Sequence, residues 1–135
     1  MTRVRGPFTT ERRAVACAVI GAALVLGACG GTDESLSEAA ARGRTTAIAK
    51  GCAGCHGQNG EGGIGPSWTG LAGSEVQLFD GSVVVADDAY LVRAIKDPAA
   101  DLLADYAIQM PQNELSDAEV ADIVAYIKEL DSDDG

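Results

Sequence analysis

The run Cys52-Ala53-Gly54-Cys55-His56 decides how the rest of the chain is read. Two thiols separated by two residues, followed at once by an imidazole, is the pattern of covalent c-type haem attachment. The chemistry requires that spacing. Each thiol adds across one vinyl group of the porphyrin, the short Cys52–Cys55 arch matches the gap between the vinyls, and His56 falls beneath the iron as its proximal ligand. Two other readings use the same residues. A thioredoxin-type dithiol needs no histidine at the next position and normally sits in a βαβ context, which this sequence lacks. A zinc site wants further Cys or His ligands, yet His56 is the only histidine in the chain.

Upstream, Met1–Arg13 carries Arg3, Arg5, Arg12 and Arg13 against the single acid Glu11, and Ala14–Leu26 is an apolar run of small and aliphatic residues. These have the character of the n- and h-regions of a signal peptide, and the run is short for a transmembrane helix. It closes in Leu26-Gly27-Ala28-Cys29, which resembles a bacterial lipobox; the resemblance implies lipidation of Cys29 as the first mature residue. An ordinary signal peptide cut after Ala28 is the alternative. Arg12-Arg13 continues poorly into a twin-arginine pattern, so the general secretory route is expected. The cysteines are then all assigned: Cys17 leaves with the leader, Cys29 takes lipid, and Cys52 and Cys55 take haem. The expected organisation is a signal peptide over 1–28, a flexible tether over 29–35, a folded domain over 36–131 and an acidic tail over 132–135.

Without residues 1–28 the chain holds six bases against nineteen acids, a net charge of about −13. Such a surface repels nucleic acid and anionic lipid headgroups and favours a basic partner, although solubility alone also accounts for it.

Within the folded part, Ser35-x-x-Glu38 reads as a capping box before an Ala-rich helix over Leu36–Lys50. The haem motif follows that helix, and Gly57–Pro66 is a glycine-dense loop whose backbone is free to pass close to a flat ligand. Asp80-Gly81, between Leu78-Phe79 and Val83-Val84-Val85, signals a small β-hairpin over 76–85. Asp87 is placed to cap a helix over Asp88–Lys96 with Tyr90, Leu91, Ala94 and Ile95 on one side, and Asp97-Pro98 ends it and starts another short helix through Leu102 and Leu103. Ser116-x-x-Glu119 is a second capping box, opening a final helix to about Leu130 with Val120, Ile123, Val124, Ile127 and Leu130 in register.

The second iron ligand has one candidate. After the initiator, Met110 is the only methionine, and with His56 used no second histidine remains. A lone methionine is commonly core filling. A thioether is nevertheless soft enough to bind haem iron and favours the ferrous state, and Met110-Pro111 lies between the middle and last helices.

Taken together, these residues resemble a class I c-type cytochrome over about Gly43–Leu130. More narrowly, they are similar to the cytochrome c domain fused to subunit II of some bacterial haem–copper oxidases, here as a stand-alone lipoprotein. The shared stretches read Gly65-Pro66-Ser67, Gly70-Leu71-Ala72-Gly73-Ser74-Glu75, Asp80-Gly81, Ala86-Asp87-Asp88-Ala89-Tyr90-Leu91, Asp97-Pro98-Ala99-Ala100 and Tyr106 to Pro111. The resemblance implies a mainly α, cytochrome c-like fold around one covalent haem c with His56/Met110 axial ligation. It also implies that the Pro66 carbonyl accepts a bond from His56 Nδ1, and that Trp68 and Tyr106 wall the pocket, plain core packing being the alternative for both. Two departures stand out. No copper domain or transmembrane hairpin accompanies the motif, and Ala47 stands near the usual site of an aromatic, so that the contact of Gly43 with Tyr126 is expected to be looser or shifted.

The expected function is single-electron transfer, without catalysis or a small-molecule substrate, on the outer face of the cytoplasmic membrane or the periplasmic side of a membrane. A terminal oxidase, a quinol-oxidising complex or a dehydrogenase is the expected redox partner, and nucleic acid is not. The rival is a haem enzyme or gas sensor with a displaceable Met110.

Overall fold

The computed structural model describes residues 36–130. The proposed leader, Cys29, the tether and the acidic tail therefore lie outside the described residues. Four helices and one two-stranded sheet follow in the order α1 (Glu38–Ala49), α2 (Ala53–His56), β1 (Glu75–Gln77), β2 (Val83–Val85), α3 (Asp88–Lys96) and α4 (Asp117–Glu129). This is the mainly α architecture with a small hairpin that the sequence predicts.

The N-cap of α1 is Ser37, whose side chain accepts from Ala40 N, and Ser35 lies outside the described residues. The reason is tertiary. Ser37 also donates its N–H and hydroxyl to the Glu129 carboxylate at 2.8 and 2.6 Å, so the end of α4 holds the start of α1. α1 closes at Lys50, and Gly51 takes φ 83°, a left-handed conformation that costs glycine little. One further turn forms α2, with His56 N donating to the Cys52 carbonyl at 3.0 Å. In that turn Cys52 and Cys55 stand three residues apart on one side.

α4 begins with the full capping box between Ser116 and Glu119. Val120, Ile123, Val124, Tyr126 and Ile127 are buried along it, each such side chain contributing about 1.5–3 kcal/mol of burial. The α1–α4 contact is tight, not loose. A Cβ on Gly43 would collide with the Asp122 carbonyl and stand 2.9 Å from Ile123 N, so the helices approach backbone to backbone there. Gly43 thus abuts Asp122 and Ile123, one turn before the Tyr126 position. The small Ala47, 2 % exposed, fills the neighbouring place. Arg42 grips Asp122 through two hydrogen bonds of 2.9 Å, and Lys50 pairs with Glu119 at 2.9 Å.

α3 is capped as predicted, Asp87 accepting from Tyr90 N at 2.8 Å. Its ion pairs Asp88–Lys128 and Lys96–Asp117 reach both ends of α4. The hairpin pairs Glu75 with Val85 and Gln77 with Val83, leaving residues 78–82 as its connection. There Asp80 accepts from Ser82 N and Oγ at 2.9 and 2.6 Å.

The predicted short helix through Leu102 and Leu103 is absent. Residues 98–100 form a turn, and the chain then runs along the hairpin: Leu78 bridges Leu103, Phe79 N donates to Leu102 O at 2.8 Å, and Ala104 N donates to Gln77 O at 3.1 Å. Backbone groups that a helix would have paired internally are paired instead with the hairpin.

Candidate haem site

The site begins with how His56 is held. It is buried at the end of α2, and its Nδ1 lies 2.9 Å from the Pro66 carbonyl oxygen. A carbonyl only accepts, so Nδ1 carries the proton and Nε2 keeps its lone pair. Burial lowers the His56 pKa, opposed in part by the bond to Pro66, so the ring is neutral at neutral pH. Among the described residues Nε2 makes no hydrogen bond and no buried side-chain nitrogen or oxygen lacks a partner; Nε2 is therefore open to the adjoining cavity.

The ring is also sandwiched from behind. Trp68 stacks on His56 with centroids 4.6 Å apart, and Tyr126 of α4 meets Trp68 edge-on at 6.2 Å. This aromatic column joins the imidazole to the best-packed helix. The loop between them has little room for side chains: a Cβ on Gly65 would stand 2.9 Å from His56 Cε1, and one on Gly60 would be 2.5 Å from Leu130 Cδ1. Trp68 N donates to Gly60 O at 2.7 Å, and Gly65 N to Cys55 O at 3.0 Å.

The cavity has a volume of about 430 Å³, within the usual range for ligand sites. Cys55, His56, Pro66, Trp68, Tyr106 and Met110 all line it, so six of the seven residues singled out for the cofactor come together. The seventh, Cys52, is half-buried at the N-cap of α2, packed against the core and outside the cavity lining. Burial raises its thiol pKa, with a smaller contribution from Cys55 in the same direction. Tyr106 stands at the mouth, 39 % exposed, whereas Trp68 is buried. The interior wall is Tyr90, Leu91, Ala94 and Ile95 of α3 with Ile127 of α4. The four α3 residues are the face that helical spacing had grouped. Phe79, Leu102 and Ile108 also line the cavity, a role that no local pattern in the sequence signals.

These residues fit a haem. The cavity is walled mainly by apolar side chains and offers an imidazole nitrogen and a thioether, with the two thiols on the turn that ends in His56. A zinc site fits less well, since no group of three or more His, Cys, Asp or Glu side chains gathers among the described residues.

The chain matches the cytochrome c family over residues 40–131, about two-thirds of its length, and it belongs to that family. It is therefore a haem-based electron carrier in class, and the family implies covalently bound haem c. No curated protein matches the chain.

Proposed function

We propose that the protein is a low-spin, mono-haem cytochrome c with His56 and Met110 as axial ligands, tethered to a membrane through lipid on Cys29. It relays single electrons between redox proteins and catalyses no reaction of its own. The observation that carries the reading is the shared cavity, which the oriented His56 and Met110 both line.

When bound, the haem supplies a one-electron ferric/ferrous couple. The chain's own residues do the rest. Cys52 and Cys55 would hold the haem through two thioether links, and the Pro66 carbonyl orients the His56 ring and raises its basicity. Trp68 prevents the ring from tilting, and the apolar wall from α3 excludes water. The narrower likeness to an oxidase-fused domain supports transfer toward a terminal oxidase; a quinol-oxidising complex or a dehydrogenase would stand upstream. The leader and lipobox support export and an anchor on the outer face of the cytoplasmic membrane or the periplasmic side of a membrane.

One observation favours a second reading, a haem enzyme or gas sensor. Residues 105–112, which carry Met110, make no hydrogen bonds among the described residues, so a displaced Met110 would meet little resistance from its surroundings. The absorption spectrum of the haem-loaded protein separates the two. Sharp ferrous bands, a weak ferric Met–iron band and no response to carbon monoxide are expected. A high-spin spectrum or ready gas binding would overturn His/Met closure and favour the sensor reading. Cys29→Ser is expected to move the protein from the membrane to the soluble fraction, and continued membrane attachment would overturn the lipid anchor.

A further inference from the structure

Few groups of this chain face the His56 ring. Among the described residues the ring makes one polar contact, Nδ1 with the Pro66 carbonyl at 2.9 Å, and no ion pair reaches it. Its other close neighbour is the face of Trp68. The two ring centroids lie 4.6 Å apart and the planes are within 21° of parallel. Both residues are only 7 % exposed, so water screens the pair little.

Neither ring has room to leave this arrangement. Tyr126 meets the indole at 6.2 Å and 88°, and the Trp68 N–H donates to Gly60 O at 2.7 Å. Gly60 lacks the Cβ that would stand 3.2 Å from Trp68 Cβ. On the imidazole, a Cβ at Gly65 would be 2.9 Å from Cε1 and 3.2 Å from Nε2, so the backbone crowds the ring there. An aromatic face is electron-rich, and indole attracts a cation more strongly than phenol or phenyl within about 6 Å of its centroid. Arg93 over Tyr90 uses the same attraction at 5.8 Å, but its side chain is 44 % exposed. The His56–Trp68 pair is closer and buried, and its interaction is the stronger.

A ligating imidazole carries part of the metal's positive charge, and more of it in the ferric than in the ferrous state. We infer that Trp68 lowers the reduction potential of the site through His56, its indole face stabilising the imidazole charge of the ferric state. The inference rests on the His56/Met110 reading and adds a determinant of its potential. Packing alone makes a different claim. Loss of packing that admits water would lower the potential, because water also stabilises the ferric charge, whereas loss of the π face raises it. The two roles of Trp68 therefore differ in sign.

Trp68 is the only tryptophan in the chain, so a fluorinated analogue supplied during expression replaces this ring alone. Fluorine withdraws density from the π face with little change of shape. The haem-loaded full chain is titrated by spectroelectrochemistry with tryptophan and with its mono-, di- and tetrafluoro analogues. The potential is expected to rise with each step. At a fixed applied potential the ferric-to-ferrous ratio should fall about two- to tenfold across the series, a shift of about 20–60 mV. The shift is expected to keep its size from low to high salt, because the pair is buried. Trp68→Leu is expected to raise the potential as well, and Trp68→Phe, which keeps a weaker π face, to fall between Trp68→Leu and the parent.

A potential that stays flat across the fluorine series would overturn the inference, whatever the substitutions do. A flat series with a lower potential in Trp68→Leu would reassign Trp68 to the exclusion of water. A shift that disappears at high salt would overturn it too, by moving the cause to exposed charges. The covalent haem content and low-spin spectrum of the parent are measured first. Their absence sinks the His56/Met110 reading itself, whereas a low-spin parent with a flat series sinks only the role of Trp68.

Discussion

Residues 57–70 and residues 105–112 border the same cavity and are held in opposite ways. The first is a web of hydrogen bonds: Gly62 N to His56 O at 2.7 Å, Gly65 N to Cys55 O at 3.0 Å, Trp68 N to Gly60 O at 2.7 Å and Gly70 N to Leu130 O at 2.8 Å. The second makes none among the described residues, and its nearest anchors are Ala104 N to Gln77 O and Asn113 Nδ2 to Ile95 O. A segment without bonds of its own opens at low free-energy cost and takes its position from packing and from what its side chains bind. The His56 side is thus built by the polypeptide. Under the His/Met reading, the Met110 side is completed by the iron bond.

That contrast is open to attack by substitution. The largest effect is expected from Gly65→Val, whose side chain enters the space of the His56 ring. It should destabilise the haem-loaded protein by about 2–3 kcal/mol in chemical denaturation, while Gln112→Ala, on the unbonded stretch, should stay within about 0.5 kcal/mol. Equal effects would erase the distinction between the two sides.

Next comes Met110→Ala, expected to retain covalent haem and to bind carbon monoxide in the ferrous state where the parent does not. An unchanged response to the gas would remove Met110 from the iron. Asn113→Ala deletes the bond of 2.7 Å that fastens the end of the loop to α3. A loss of about 1 kcal/mol is expected, together with an increased on-rate for added imidazole at the iron. Unaltered imidazole kinetics would mean that the anchor does not control the loop.

The smallest effect lies away from the cavity. Glu119 is held at a pKa of about 2, below its usual 4.5, by the Ser116 backbone N–H first and then by Lys50 and the Ser116 hydroxyl. A depressed pKa means that this stabilisation is present above pH 4.5 and is lost as pH falls from there toward 2. Glu119→Gln should therefore melt below the parent at pH 6, with the gap between the two melting temperatures closing on acidification. A gap constant from pH 6 to 2 would contradict the assignment.

Much of this was legible in the residues because it depends on local chemistry. The Asp87 cap, the Ser116–Glu119 box and the apolar face of α3 each need only a few neighbouring positions, and each was predicted as it stands. Ser37 displaced the predicted cap because Glu129, more than ninety positions away, bonds it. The helix predicted beyond Pro98 gave way because the hairpin offered its backbone a better set of partners.

The sequence alone thus determined the class of cofactor, the candidate ligands and the capped helices α3 and α4, since the attachment motif and capping are short-range. Only the tertiary structure decided which loop is rigid, that Trp68 stacks on His56, that Gly43 meets Asp122, and that Phe79 and Ile108 stand at one rim. Those outcomes depend on contacts between distant segments, where excluded volume and unsatisfied backbone groups choose among arrangements that local pattern leaves equal.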